Sequence, residues 1–532
     1  MSERNVPRAP SRSGGIVADP PLHEAGVLLA ANRQSLSARG DLLGRPWSEL
    51  RRHARLAAVA AAQAYLGDTS AIAADSLIVA GHQPELFHPG VWVKNFALYG
   101  LARSLGVTPL NLVVDNDTVK STALLLPDPP HVRRAPFDRW TGETPYEERT
   151  IVDRDTFARF AERIGAWLDD WPYEPLLPAF WDEVKRQSDR TAILGECFSA
   201  ARRSIERAWG CRNLEVPLST ICDTEPFAWF ACHLLTHLPH FHSLYNTIVA
   251  EYRRRHGIRD DRHPVPDLAV EGDWLEAPFW IWRAGAVRRG RMFARRAGTR
   301  LQLRGKDEVV ELSADPQMRA IEWHHLARQG IKIRSRALTT TLYARMFLAD
   351  LFIHGIGGGK YDELTDELIR RFYDLKAPAY LVMSATLWLP LPQFDVSRDE
   401  CRRLSRELRD VHYNPQRHPR GIEESQPFSE AAARKREWIA RQPTTSTERR
   451  ERFHMLRSLT EQLRLPLQPL EEQLRQQWLL CQKQMRDNAV LQRRDYSFCL
   501  YPESVLRPFC TQFLDEHSMP SGHGLVADSP LL

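Results

Sequence analysis

The stretch "DSLIVAGHQPELFHPGVWVKNFALYGLARSLGVTPLNLVVDNDTVKS", residues 75–121, constrains the fold more than any other part of the chain. A short apolar run, Leu77 to Ala80, meets a polar turn. A helical period follows at Phe96, Leu98, Leu101 and Leu105, and a second apolar run covers Leu110 to Val114. Strand, turn, helix, strand is a βαβ unit, and its two strands are parallel neighbours covered on both faces. Their carboxyl ends deliver Gly81, His82, Gln83, His88 and Gly90 from one turn, and Asp115, Asn116 and Asp117 from the next, to one edge of the sheet. In open α/β sheets that edge is where ligands bind.

A second α/β signature occupies 338–390. A helix-like "LYARMFLADLFIHG" runs into the glycine loop of "GIGGGKYDELTDELIRRFYDL", followed by a helix and the strand "APAYLVMSATLWL". The expectation is that the backbone at Gly357, Gly358 and Gly359 approaches a ligand while Lys360, Tyr361 and Asp362 present side chains, Asp362 at the cap or first turn of the helix. The spacing of a phosphate-binding loop, G-x-x-x-x-G-K-[ST], is absent.

The fold class expected is therefore α/β, a Rossmann-like parallel-sheet core with inserted segments and a C-terminal helical or coiled-coil arm. At 532 residues, 43% hydrophobic, the chain exceeds what one core normally covers. Composition divides it into a disordered N-terminus (1–20), a helical segment (21–74), the core (75–397, insertions at about 135–330), the arm (398–495) and a tail packing on the core (496–532). The arm is charged and Leu-punctuated, with Pro466 and Pro469 interrupting it. Residues 285–313 alternate and read as a small β-meander.

A net charge of +5 on this length carries little information about nucleic acid or membrane partners. No run reaches the roughly 18–20 apolar residues of a membrane helix, and "MSERNVPRAPSRSGG" lacks the apolar core of a secretory signal, so a cytoplasmic location is expected. The eight cysteines have no C-x-x-C spacing and read as reduced, structural thiols.

Among side chains, His82, His88, Asp115 and Asp117 are the candidates for moving protons. One of Asp115 and Asp117 is expected to meet the ligand directly. Lys94, Asn95, Asn116 and Lys120 flank the same edge and suit an anionic substrate. Glu276 and Trp280, in a Pro-punctuated loop, suit a pocket rim. His233, His237, His240 and His242 lack metal-site spacing, so no metal site is assigned. The arginine run from Arg288 to Arg304 reads as a solvated or arm-contacting face, with binding of an acidic substrate or RNA as the alternative, and no aromatic stacking motif accompanies it.

Three stretches, "LIVAGHQPELFHPGVWVKNFALYGLA", "LNLVVDNDTVKS" and "RALTTTLYARMFLADLFIHGIGGGKYDELTDELIRRFYDLKAPAYLVMSATL", together carry a resemblance. In order and spacing the chain resembles the family of the bacillithiol-biosynthesis cysteine-adding enzyme, a cysteine ligase family with a Rossmann-like core and a coiled-coil arm. It departs at His82, where the family has Gln, at Asn116, where it has His, and at Gly359-Lys360. The resemblance implies a carbon–nitrogen ligase joining cysteine, or a similar small amino or thiol compound, to a sugar-like acceptor. A homodimer through the arm is a further expectation. Nucleotidyl or adenylyl transfer, and a non-catalytic ligand-binding scaffold using the arm, are the alternatives. Nucleotide or Mg²⁺ use stays open, because no clear motif specifies a cofactor.

Overall fold

Leu77, Ile78 and Val79 have no exposed surface and Ala80 has 1%. Four consecutive buried residues, without alternation, belong to a strand with both faces covered. The computed structural model describes residues 7–37, 40–306, 308–419 and 426–515. The strands that matter here are β1 (Ile16–Asp19), β2 (Leu77–His82), β3 (Thr108–Val113), β4 (Leu214–Pro217), β5 (Trp274–Arg283), β6 (Gly290–Ala297), β7 (Arg300–Arg304), β8 (Val309–Ser313), β9 (Ile331–Ser335), β10 (Leu351–His354) and β11 (Tyr380–Ala385). The helices are α1 (Trp47–Leu66), α2 (Pro89–Ser104), α3 (Leu194–Ala208), α4 (Leu238–Arg255), α5 (Ala337–Tyr343), α6 (Ile356–Phe372), α7 (Arg398–Tyr413), α8 (Gln426–Ala440), α9 (Ser446–Arg464) and α10 (Gln468–Leu491).

One sheet runs β1-β11-β10-β2-β3-β4, with every pair parallel except β1 on β11. The chain moves outward from β2 through β3 to β4, then returns to place β10 and β11 on the other flank of β2. The crevice between β2 and β10 is thus a topological switch point. A second, antiparallel sheet runs β8-β7-β6-β5-β9, and its β6-β7-β8 portion is the meander read from residues 285–313.

Several expectations change. Residues 1–20 are not wholly disordered: Ile16 to Asp19 pair with Ala385 to Val382, covering the otherwise open edge of β11. Residues 1–6 lie outside those described, as do 516–532 of the expected tail. The segment read as one helix, "LYARMFLADLFIHG", ends before Ala349, and Leu351–His354 is strand β10. Asp350 breaks it, buried and accepting hydrogen bonds from Arg51 (2.9 Å) and the Ser76 hydroxyl (2.7 Å), with Arg55 also on its carboxylate. The glycine run is not a loop either, since α6 starts at Ile356. Finally, α2 is not simply amphipathic: 12 of its 16 residues are buried. A Cβ at Gly100 would lie 1.8 Å from the carbonyl oxygen of Phe513, so the C-terminal segment covers the face opposite the sheet.

The chain divides into two units. The first contains both sheets, and the second comprises 390–493 with 126–133. In the second, α7, α8, α9 and α10 share one apolar core that includes Leu404, Val411, Phe428, Leu459, Leu463 and Leu474. A Thr445–Glu448 capping box starts α9, and a 3₁₀ turn containing Pro466 separates it from α10. Contrary to the expectation of eight reduced thiols, Cys401 and Cys481 are disulfide-bonded, their Cα atoms 5.8 Å apart. Packing of α7 on α10 brings together residues that sequence spacing does not connect.

Closing a loop of 80 residues with this bond stabilises the helical unit by about 4 kcal/mol on chain-entropy grounds. Reduction, or Cys401→Ser, should therefore accelerate amide exchange in α7 and α10 while leaving β2 and β10 unchanged. Equal protection in both redox states would mean that the bond contributes nothing to the unit.

Candidate active site

β2 and β10, adjacent and parallel, end alike: Gly81-His82 on one, His354-Gly355 on the other. Beyond them opens a cavity of about 600 Å³. Each strand leads into a helix that starts at this edge, α2 after His88 and α6 after Gly355. The first-turn N–H groups of a helix have no acceptor within it, and the helix dipole adds positive potential there. Two such ends border one cavity.

The glycines have separable reasons. A Cβ at position 90 would sit 2.0 Å from the Ala385 carbonyl oxygen, so Gly90 lets the start of α2 press against the end of β11. At 358 it would meet His354 Nδ1 at 2.8 Å, and at 359 Val382 Cγ2 at 2.5 Å. At Gly357 it would meet nothing within 4 Å. Gly81, Gly357 and Gly358 line the cavity; Gly359 serves the packing of α6 on β11.

Lys94, on α2, is only 3% exposed. Its Nζ donates a long hydrogen bond, 3.4 Å, to the Gly81 carbonyl, and among the described residues it has no carboxylate partner. Desolvation lowers it to about 8. His82 and His88 are pushed down to about 3 and about 4, His82 by desolvation and then Lys94, His88 by desolvation and then Arg494. Both imidazoles are thus neutral near pH 7. His82 Nδ1 lies 3.1 Å from the Gln83 carbonyl, which can only accept, so Nδ1 carries the proton and Nε2 keeps its lone pair. His88 Nδ1 is buried without a hydrogen-bond partner among the described residues.

Across the cavity, Asp117 accepts from Gln83 Nε2 (2.9 Å), Arg289 (2.9 Å) and the Thr118 N–H (2.8 Å), and its carboxyl stays below the usual range because these bonds outweigh its burial. Asn116 donates to the Ser335 carbonyl at 2.8 Å. Trp280 forms the rim, with the guanidiniums of Arg289 and Arg336 at 4.3 Å and 4.7 Å from its ring centroid. Arg494 enters from the C-terminal segment and donates to Ser384 Oγ (2.8 Å) and the Ala385 carbonyl (2.9 Å).

The other candidates lie elsewhere. Asp115 does not line the cavity: its carboxylate accepts from the N–H and hydroxyl of Ser219, tying the loop after β3 to the short helix Leu218–Cys222 that follows β4, and burial with Glu147 nearby raises it to about 7. Asn95 faces away and donates to Glu206 at 2.7 Å. Lys120 is exposed and paired with Glu143 at 2.9 Å. Glu276 supports the rim from behind through Arg336 at 2.7 Å. Lys360 is exposed, and the Tyr361 hydroxyl lies 3.2 Å from His263. Asp362 is inside α6, not at its start, held by Arg345 at 2.6 Å and His354 at 2.8 Å. His233 and His237 pack with Phe372 and Tyr373.

Residues that sequence reasoning missed are His354, Arg289, Arg336 and Arg494. "FIHG" at a strand end repeats the pattern of "AGHQ", a signal for His354. Arg289 stood within a run assigned to a solvated face, yet it holds both Asp117 and the Asn116 carbonyl. Its neighbours do pair outward, Arg295 with Asp273 and Arg304 with Glu271. Among the described residues no cluster suits a metal ion, and no helix is long and apolar enough to cross a membrane. No protein-family model matches the chain, and no curated protein matches it.

Two outcomes follow. Sulfate stays ionised across the alkaline range, so its affinity should be flat below about pH 8, where Lys94 is protonated, and should fall by up to about tenfold per pH unit above it. Titration calorimetry from pH 6 to 10 measures this, and Lys94→Met should weaken binding and abolish the pH dependence. Gly90→Ala should lower thermal stability by an overpacking cost of about 1–3 kcal/mol or more, whereas Gly357→Ala should be tolerated.

Proposed function

We propose that this chain is an enzyme with a Rossmann-like core and a small-molecule substrate: a carbon–nitrogen ligase resembling the bacillithiol cysteine-adding family, joining a small amino or thiol compound to a sugar-like acceptor. The observation that carries the reading is Lys94, a buried cation without a carboxylate partner, set between two helix N-termini at the switch point. Burying an ammonium costs several kcal/mol unless a counter-charge arrives, and the cavity is open for an anionic ligand to supply it. The spatial strand order third, second, first, fourth, fifth supports the Rossmann-like assignment. The resemblance in the three stretches supports the reaction class.

In this mechanism the amine nitrogen attacks the carbonyl carbon of an acyl phosphate, the carbon–oxygen bond to phosphate breaks as the carbon–nitrogen bond forms, phosphate departs as the anion, and the nitrogen loses a proton to His82 Nε2, the neutral and oriented base. Lys94 and the N–H groups at Ile356 to Gly358 hold negative charge on the bound acid or leaving group. Asp117 and Trp280 position the remainder. A nucleotidyl-transfer reading is favoured by one feature, the concentration of Lys94, Arg289, Arg336 and Arg494 around the cavity, which suits phosphates.

Mass spectrometry of metabolites retained by the purified protein, beside Lys94→Met and His82→Ala, tests the proposal. A retained carboxylate or amino-sugar compound lost from Lys94→Met is the expected result, and a retained nucleotide would select the second reading. Identical retention by wild type and Lys94→Met would sink the site assignment.

A further inference from the structure

His82, His88 and Val91 line a second cavity as well, of about 340 Å³. The two imidazoles therefore stand in a wall shared by two chambers. The smaller chamber differs in character: Phe87, Leu124, Phe137 and Phe198 give it an apolar interior. Its polar centre is Glu85, with the buried Tyr146 hydroxyl 3.5 Å away.

Glu85 is this chamber's counterpart to Lys94, with a side chain that is 42% exposed where Lys94 is buried. Among the described residues no lysine or arginine pairs with it, and its nearest titratable nitrogen is His82 Nδ1 at 3.9 Å. Because that imidazole is neutral, the contact is no ion pair. Desolvation, and then Asp117, hold the Glu85 carboxyl above its usual range. Among the described residues three other charged side chains share this chamber's wall: Lys120, neutralised by Glu143 at 2.9 Å, the exposed Arg134, and a second carboxylate, Asp495. One chamber thus carries a buried cation and its neighbour a carboxylate, neither paired with an opposite charge among the described residues, and a neutral imidazole whose Nε2 keeps its lone pair lies between.

We propose that the smaller chamber is the binding site for the amine component, a primary ammonium compound with an apolar body, whose ammonium pairs with Glu85 while its carbon skeleton fills the space under Phe137 and Phe198. The proposal rests on the preceding reading, in which the larger chamber takes the anionic partner. It adds the location and charge of the second substrate, and places the nucleophilic nitrogen next to His82.

The test uses the full chain and three probes of one shape: phenethylamine, 2-phenylethanol and 3-phenylpropionate, with sulfate titrated in parallel. Calorimetry or ligand-observed NMR should find phenethylamine at least tenfold tighter than the other two. Glu85→Gln should cost tenfold or more in amine affinity and leave sulfate within twofold, and Lys94→Met should do the reverse. Leu125→Trp, at the wall of the smaller chamber, should block the amine alone, which separates occupancy from any folding defect of Glu85→Gln. Binding of 3-phenylpropionate as tight as that of the amine, or amine binding indifferent to both Glu85→Gln and Leu125→Trp, overturns the proposal. If sulfate binds through Lys94 and the amine does not bind, the chamber assignment alone fails. Loss of Lys94-dependent sulfate binding with Glu85-dependent amine binding retained refutes the anion site instead.

Discussion

The pairing of β2 with β10 is the constraint on which the rest depends. Two fully buried parallel strands lie side by side, yet the chain leaves them in opposite lateral directions, so nothing covers their carboxyl ends. Both connections must turn sharply there and start a helix, which brings two sets of unpaired N–H groups to one crevice. The cavity is a consequence of topology before any particular side chain is considered.

Buried networks hold this frame in place. Glu206, on α3, accepts from Trp92 Nε1 (2.6 Å), Asn95 Nδ2 (2.7 Å) and Arg202 (2.6 Å), fixing α2 from behind so that Lys94 faces the cavity. On the other flank Asp362 joins Arg345 to His354, locking α6 to the end of β10. Asp350 gathers Arg51 and Arg55 at the start of the same strand. In each network the buried charges are paired and hydrogen-bonded, as burial requires, and at Asp350 the arginines outnumber the carboxylate.

Position gives Lys94 and Glu85 their meaning. Among the described residues neither has a partner of opposite charge, and they stand on the walls of two cavities on either side of the same neutral histidine. Uncompensated charge beside a cavity is costly in the free protein and is stabilised by a ligand of opposite sign, which is how binding energy is stored in a preorganised site.

Much of the site was legible in the residues themselves. Apolar run length marked β2 and β3. The glycine-histidine turn marked the edge at which the cavity opens, whereas spacing did not separate Asp115 from Asp117: side chains two apart share a face of a strand, and Ser219 holds Asp115 away from the cavity. Local pattern failed where neighbours decide: Leu351–His354 looked helical because three apolar residues and a histidine carry no period of their own, and Ile16–Asp19 became a strand only because β11 offered an edge. Arg289, Arg336 and Arg494 converge from distant segments, and no spacing along the chain encodes that. The sequence by itself determined β2, β3, the turns that follow them and the helix between them, since these follow from local period and backbone freedom. Only the tertiary structure decided which charges are compensated, because compensation depends on partners as much as 317 residues apart, as in Arg33 with Asp350.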